Sequence, residues 1–369
     1  MILEPFASRL QKFRKLLSEE SLDAFLVAVP ENRYYLSGYE AEDLHLTESS
    51  GYLLVTDTKQ YLLTDPRYEQ AALQEAPDFE AVIYSHGIAQ VLPDLFSSVQ
   101  VLRLGCEGDY LTFTRFREIE GLLRKTNPAG MLIPGDGLIE RLRVIKEPGE
   151  IEKIRASLRL TESILMSVWE TIRPGRTEKS LAWDIERGIR EGGGEAVSFP
   201  PIVAGGPNAA LPHAVPTDRV ISAGEPVIFD LGSRLDHYCS DMTRTWVCGA
   251  FSKKIAEIYR VVRDAQLAAQ DCLRAGKDSV EIDGIARKVI GRAGYGDNFG
   301  HGLGHGVGLA VHEKPGIRKH GGTILEENMV VTIEPGIYLP EVGGVRLENM
   351  VLVTGSGCEV LNHAGLFFD

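Results

Sequence analysis

The stretch RPGRTEKSLAWDIERGIREGG, residues 173 to 193, returns in altered form as RAGKDSVEIDGIARKVIGRAG at residues 274 to 294, beginning 101 positions later. Each copy opens on arginine, any residue, glycine and a basic residue, continues as a helix and ends on glycine. Two unrelated helices that share a glycine stop would give part of this likeness, since glycine takes the left-handed stop conformation at little cost. A true duplication implies more: a helix, helix and sheet unit repeated with pseudo-twofold symmetry, its two sheets closing around one central site. Such a site draws ligands from both halves.

Just beyond the second copy lies GHGLGHG, residues 300 to 306, with four glycines and two histidines. Glycine loses more conformational freedom on folding than any other residue, so the run costs stability unless backbone must come very close to something. A phosphate-cradling loop is disfavoured by the missing GxxxxGK(S/T) lysine and by the lack of any frame completing GxGxxG. His301 and His305 have the spacing of the HExxH zinc helix, but Gly302, Leu303 and Gly304 between them disfavour a helix. The third reading is an extended, tightly packed segment that turns one imidazole to a metal and takes its other ligands from elsewhere.

At 369 residues the chain exceeds what one hydrophobic core usually serves, so two domains are expected. In the first part, SRLQKFRKLLSEE reads as an amphipathic helix, DAFLVAV as a buried strand and GYLLVTDTKQYLLTD as a hairpin around Asp57 to Gln60. The helices EQAALQEA and TFTRFREIEGLLRK and the strand FEAVIYS continue the alternation, which predicts a small α/β domain with a mostly parallel or mixed sheet. The pattern breaks at Gly130, Pro134, Gly135 and Gly137, and a long helix opens at Pro148 with Glu150 and Glu152 near its positive end. The domains are therefore placed at residues 1–140 and 141–369.

A formal net charge of −13 disfavours a nucleic-acid partner, because phosphate binding needs a basic face. No run of 18 apolar residues offers a membrane span, and MILEPFASRLQKFRK lacks the apolar stretch of a secretory signal. Cys106, Cys239, Cys248, Cys272 and Cys358 form no CxxC pair and read as reduced thiols, which points to the cytoplasm.

In GEPVIFDLGSRLDHYCSDMTRTWVCG, residues 224 to 249, two β segments are joined by a turn at Gly232 to Asp236. Asp230 ends the first segment and Asp241 lies inside the return. Aspartate is depleted in strands because it competes for backbone hydrogen bonds and resists burial. One such residue alone reads as a turn cap. Glu334, after the apolar run Val330 to Ile333, and Glu348, in GGVRLENMVLV, repeat the placement in the second half. Four carboxylates buried at strand positions repel one another unless positive charge lies among them. With His305 they make an oxygen-rich set suited to two divalent first-row ions, manganese, cobalt, iron or zinc, rather than to a structural tetrahedral zinc.

FDLGS followed by SDMTRT, then GHGVGL, TIEPGIY and VRLEN, in that order over about residues 148 to 369, closely resemble the motifs of the pita-bread metallopeptidases. That family includes methionine aminopeptidase, aminopeptidase P and prolidase. PENRYYLSGY and LLTDPRYEQA resemble its proline-specific branch, whose N-terminal domain methionine aminopeptidases generally lack. Creatinases have both domains but typically lack the full metal set. The resemblance implies a creatinase-like α/β N-terminal domain followed by an α+β pita-bread domain.

It further implies that Asp230 binds one ion through both oxygens, that Asp241 and Glu348 bridge the pair, and that His305 and Glu334 complete the second site. Glu334 would also assist proton transfer from the attacking water. His213 in LPHAVPTDR and His312 in LAVHEKP match histidines that contact the scissile peptide, and His301 matches one lining the pocket near the proline side. Gly300, Gly302, Gly304, Gly306 and Gly308 would let the strand pack closely beneath the metals and leave room for substrate. Arg346, two residues before Glu348, is a candidate partner for a ligating carboxylate. His45, His86, His237, His320 and His363 match no motif and read as structural, and Asn349 stands where many relatives carry an acidic residue.

The activity implied is hydrolysis of the Xaa-Pro bond in small peptides by a cytoplasmic homodimer. Dipeptide against longer substrate stays open, as does the native metal. Two other readings stand beside it: the same site acting on another C–N or C–O bond, and a catalytically silent peptide-binding protein, which has no need of five ligands together with His213 and His312.

Overall fold

The computed structural model describes residues 5–43, 45–173, 175–247 and 249–363, which fall into two compact units, Met1–Arg143 and Val144–Asp369. Among the described residues no helix is long and apolar enough to cross a membrane. Among the described residues Cys106, Cys239, Cys272 and Cys358 form no disulfide, and Cys248 lies outside the described residues.

The first unit runs α1 (Phe6–Glu19), β1 (Ala24–Val27), α2 (Pro30–Ser37), β2 (Tyr52–Thr56), β3 (Gln60–Thr64), α3 (Glu69–Glu75) and β4 (Glu80–Ile83). It continues with α4 (Leu92–Ser98), β5 (Arg103–Cys106), α5 (Phe113–Thr126), β6 (Met131–Pro134) and α6 (Glu140–Arg143). Its sheet has the order β4-β3-β2-β1-β5-β6, parallel at β3–β4, β1–β5 and β5–β6 and antiparallel elsewhere. All four residues of the inner strand β1 are buried, as an unbroken apolar run in a covered sheet demands. Met131–Pro134 is the edge strand of this sheet, although its surrounding glycines and prolines read as a break in the pattern.

The second unit opens with α7 (Pro148–Thr171), α8 (Glu178–Glu191), β7 (Ala196–Val197), β8 (Ile202–Gly205), β9 (Pro226–Leu231), β10 (Ser233–Leu235), β11 (Tyr238–Cys239) and β12 (Met242–Val247). Then follow α9 (Lys253–Cys272), α10 (Ser279–Arg292), β13 (Gly304–Gly306), β14 (Glu313–Ile317), β15 (Val330–Ile333), β16 (Gly336–Leu339), β17 (Gly343–Arg346), β18 (Asn349–Val353) and β19 (Cys358–Val360). The repeat is visible in the caps. Thr177 accepts from Ser180 N to start α8, Asp278 accepts from Val280 N to start α10, and the two caps bridge to Val220 and Ile324 in matching fashion. Each helix pair is followed by antiparallel strands: β12-β9-β8 and β11-β10-β7 in the first half, β14-β13-β15-β18-β19 and β16-β17 in the second.

The core of the second half lies between α9, α10 and the five-stranded sheet, where Ile255, Ile258, Val262, Ile282 and Ile290 pack with Val331, Ile333 and Val351. Each such side chain contributes roughly 1.5–3 kcal/mol on burial, which favours keeping the sheet against the helices.

The first-half hairpin departs from its expected form. Ser233–Leu235 is a strand, and the turn falls at Asp236 and His237, whose φ angles are 47° and 69°. Gly232 is not part of the turn; it is where two backbones cross, since a Cβ there would lie 1.9 Å from the Ser240 carbonyl oxygen. The crossing interrupts the return segment, so Asp241 sits in the break between β11 and β12 rather than inside a strand.

Candidate metal centre

Both halves of the second unit send side chains to one cleft of about 480 Å³. Asp230 comes from β9 and Asp241 from the break before β12; His305 comes from β13, Glu334 from the residue after β15, and Glu348 from the joint between β17 and β18. Asp241, Glu334 and Glu348 stand at strand breaks or ends, while Asp230, next to the end of β9, is still paired with both Thr243 and Ile202.

The glycines around His305 explain how its strand fits. A Cβ at Gly304 would lie 1.9 Å from the Thr332 carbonyl oxygen, and one at Gly306 would lie 2.2 Å from that of Lys314. Gly308 likewise leaves room for the Glu313 carboxylate. Gly300 has nothing near it and a Cβ at Gly302 would be tight against the Ile317 carbonyl oxygen at 3.2 Å, so of the close-packing expected of the whole run the outright overlaps are at Gly304, Gly306 and Gly308, with Gly302 less crowded.

His305 Nδ1 is 3.1 Å from the Gly306 carbonyl oxygen, which fixes the proton there and leaves the Nε2 lone pair facing the acids. Nε2 stands 3.5 Å from Asp241 Oδ2 and 3.5 Å from Glu334 Oε1. Burial, then His312, hold this imidazole down at about 4, so it is neutral and able to ligate. Burial and mutual repulsion act the other way on the acids. Asp241 and Glu334 are pushed well above the usual carboxylate range, and Glu348 up to about 8, by burial first and neighbouring carboxylates next.

Three overlapping groups bring ligand atoms within 4.8 Å of one another: Asp230, Asp241 and Glu348; His305, Glu334 and Glu348; Asp241, His305 and His312. The same acids hold buried oxygens, Asp230 Oδ1, Asp241 Oδ1 and Glu348 Oε1, with no hydrogen-bond partner among the described residues. Leaving a buried polar atom unsatisfied costs about 1–3 kcal/mol, more for charged groups. Divalent cations satisfy these atoms and relieve the repulsion, so the residues fit the metal that the donor set implies.

A fixed network surrounds the acids. Arg346, buried, donates from Nη2 to Asp230 Oδ2 at 2.6 Å, from Nε to Thr243 Oγ1 at 3.1 Å and from Nη1 to the Tyr338 hydroxyl at 2.9 Å. Thr243 passes its own proton to Glu348 Oε2 at 2.8 Å. The Tyr338 oxygen is also 2.8 Å from His301 Nε2, and His301 Nδ1 is 2.8 Å from the Gly302 carbonyl oxygen. Burial, then Arg346, lower His301 to about 4. The neutral ring therefore donates from Nδ1 and accepts the Tyr338 proton at Nε2. Asn349 accepts from Arg244 Nη2 at 2.9 Å, taking the guanidinium that also holds the Glu348 carbonyl.

His213, His301 and His312 line the cleft, with His312 packed edge-on to His305 at a centroid distance of 4.3 Å. Phe199, Pro200 and Ile202 supply an apolar wall. His45, His86, His237, His320 and His363 take no part in lining it. Sequence reasoning gave no role to Tyr338 or Thr243. Both lie inside the quoted motifs, and their strand positions beside ligating residues were the available signal.

Residues 152–355 match Metallopeptidase family M24, and residues 9–145 match the Creatinase/Prolidase N-terminal domain. The Xaa-Pro dipeptidase of Pyrococcus furiosus is 36% identical over 353 residues, covering 96% of this chain and 97% of that protein. The solved structure of the Xaa-Pro dipeptidase from Bacillus anthracis superposes with a TM-score of 0.91 at 33% identity, covering 97% of this chain and 98% of that one. The X-Pro aminopeptidase from Thermotoga maritima MSB8 gives a TM-score of 0.87 at 34% identity, covering 96% and 97%.

Proposed function

The chain belongs to metallopeptidase family M24, and on that premise we propose that it is a dinuclear enzyme hydrolysing the peptide bond between an N-terminal residue and proline. The observation that carries the reading is the sharing of Asp241, Glu348 and His305 between overlapping ligand groups that line one cleft. One ion needs one such group; shared carboxylates are what two neighbouring ions need. Asp230 would hold one ion and His305 and Glu334 the other, with Asp241 and Glu348 placed to serve either. The oxygen-rich set suits manganese or cobalt, with zinc and iron as further candidates.

When bound, the ions polarise the scissile carbonyl and lower the pKa of the attacking water. The chain's own residues do the rest. Glu334 takes the proton of that water and carries it toward the leaving nitrogen. His213 and His312 meet the carbonyl oxygen as charge develops on it. An Xaa-Pro amide nitrogen has no proton to satisfy, so the ring needs only an apolar wall, and Phe199, Pro200 and Ile202 offer one. His301, locked by Tyr338 and Gly302, lines the proline side. The reading places the enzyme in the cytoplasm, in keeping with the four described cysteines forming no disulfide, and takes a homodimer as the working state.

The test is cleavage of an Xaa-Pro dipeptide, an Xaa-Pro-Yaa tripeptide and their Xaa-Ala counterparts by protein loaded separately with manganese, cobalt, zinc and iron. Cleavage of a proline peptide alone supports the reading, and dipeptide against tripeptide names the substrate. Faster cleavage of the alanine peptides contradicts it.

A further inference from the structure

We infer that Glu178, a buried acid at the start of α8, is a positioning residue that sets where His213 stands; the inference rests on the cleft being the peptidase site. Glu178 is 0% exposed and belongs to none of the metal-binding groups. Its Oε1 accepts from Gly205 N at 2.8 Å and Asn208 Nδ2 at 3.1 Å. Its Oε2 accepts from Thr217 N at 3.0 Å, Thr217 Oγ1 at 2.7 Å and the same Asn208 amide at 3.1 Å. None of these donors is a helix neighbour. Gly205 ends β8 and Thr217 lies beyond His213, so one carboxylate ties together both ends of the loop that brings His213 to the cleft.

The backbone reinforces the tie, with Glu178 N donating to the Arg219 carbonyl at 3.1 Å and Lys179 N to that of Thr217 at 3.1 Å. On the other side of the loop, the Pro212 carbonyl accepts from Arg346 Nη1 at 3.1 Å. Beside His213 the apolar grip is thin, since Leu211 is 58% and Val215 78% exposed and only the small Ala214 is buried. Ala209 packs with Ile228 and Tyr338, but the segment that carries His213 takes its position from hydrogen bonds, which converge on Glu178 at the loop's two ends and on Arg346 between them. Positioning matters at such a place because a contact to the reacting carbonyl is sensitive to shifts of an ångström.

Glu178→Gln is a sharp probe, because it keeps the shape and replaces one acceptor by an NH2 donor. Turned either way, that donor confronts the backbone N–H of Gly205 or of Thr217. The loop is then released at one end while α8 keeps its apolar packing through Leu181, Ile185 and Ile189.

The experiment is a double-mutant cycle on the full, metal-loaded chain, with an Xaa-Pro peptide as substrate and Glu178→Gln, His213→Ala and the double variant compared. Glu178→Gln is expected to lower kcat/KM about tenfold in the wild-type background, the scale of one buried donor left unpaired. With His213 already removed, it is expected to cost less than about twofold, as coupled residues do. An equal loss in both backgrounds, or no loss in the first, overturns the inference. If Glu178→Gln does not fold, Thr217→Val removes the hydroxyl that donates to Glu178 and accepts from Arg219 N, keeps the Thr217 backbone donor, and carries the same cycle. Hydrogen exchange on metal-free protein gives a readout independent of turnover: peptides covering residues 205–217 should exchange about tenfold faster in Glu178→Gln while β9 and β15 are unchanged. Unchanged exchange at 205–217 also overturns the inference. A wild-type chain that cleaves no Xaa-Pro peptide would sink the functional reading instead, and the exchange result would still decide whether Glu178 holds the loop.

Discussion

Arg346 joins Asp230 through Nη2 at 2.6 Å, and the pair is almost wholly removed from solvent, with side-chain exposures of 4% and 13%. The same guanidinium reaches Thr243 and Tyr338, so a single planar group fixes a candidate metal ligand, the donor to a second ligand and the hydroxyl that orients His301. Only a fork can do this; a lysine ammonium is a point charge on a flexible stem. Arg346→Lys is therefore expected to lower kcat/KM roughly 10–100-fold despite keeping the charge. Steady-state kinetics beside elemental analysis checks it, and near-normal turnover would show that the fork is dispensable.

Tyr338→Phe removes one oxygen and leaves the ring packed with Ala209 and Ile228. His301 then loses the proton that its Nε2 accepts, while the metal ligands keep all their partners. Turnover is expected to fall about tenfold with metal content unchanged. Metal loss in parallel with activity would instead place Tyr338 among the supports of the ligands.

Metal removal should make stability depend on pH in a definite direction. Glu348 stands at about 8 in the folded chain against an ordinary 4.5, and Asp241 and Glu334 are raised with it. A carboxylate raised on folding holds its proton more tightly in the folded state, so its contribution is full at low pH and lost as pH climbs through the raised value. His301 and His305, held down at about 4, oppose this up to their ordinary 6.5, so the metal-free chain should melt at progressively lower temperature from about pH 6.5 to about 8, the upper limit set by Glu348. Loaded protein should not follow that trend, and metal uptake at neutral pH should release protons to the buffer. Scanning calorimetry checks the first and titration calorimetry in buffers of different ionisation enthalpy the second; a metal-free melting temperature that rises over this range would contradict the picture.

Lys146 and Glu313 form a 2.6 Å ion pair with side-chain exposures of 1% and 7%, one residue from His312. Breaking a buried pair from one side costs about 3–5 kcal/mol, because a charge stays behind in low dielectric. Lys146→Met keeps the aliphatic stem and removes the cation. It is expected to lower the melting temperature by about 10 °C, given roughly 2–4 °C per kcal/mol for a unit of this size. A shift of a degree or less would mean that Glu313 is held by its other surroundings.

Much of the site was legible because acids at strand ends are conspicuous: nothing in local propensity favours Asp230 after VIF or Glu334 after VVTI, so their presence asked for a cation. The duplicated helices were legible from their shared openings and glycine stops, while Thr177 and Asp278, which cap the starts of both helices, were not singled out. The first-half hairpin was misplaced because Gly232 signals a turn in sequence, whereas it serves a backbone crossing. The real turn uses Asp236 and His237 at positive φ, without a glycine to announce it. Tyr338 and Glu178 stayed hidden for a related reason. A tyrosine on a strand and a glutamate in a first helical turn both have ordinary explanations, and only tertiary contact shows what they hold.

The most direct test of the dinuclear Xaa-Pro reading is to add manganese stepwise to metal-free protein while following both bound metal and release of the first residue from an Xaa-Pro peptide, with the Xaa-Ala peptide as control. The account predicts uptake of two ions per chain, activity reaching its maximum only as the second site fills, and cleavage confined to the proline peptide. Uptake that stops at one ion with full activity, or equal cleavage of the alanine peptide, would contradict it.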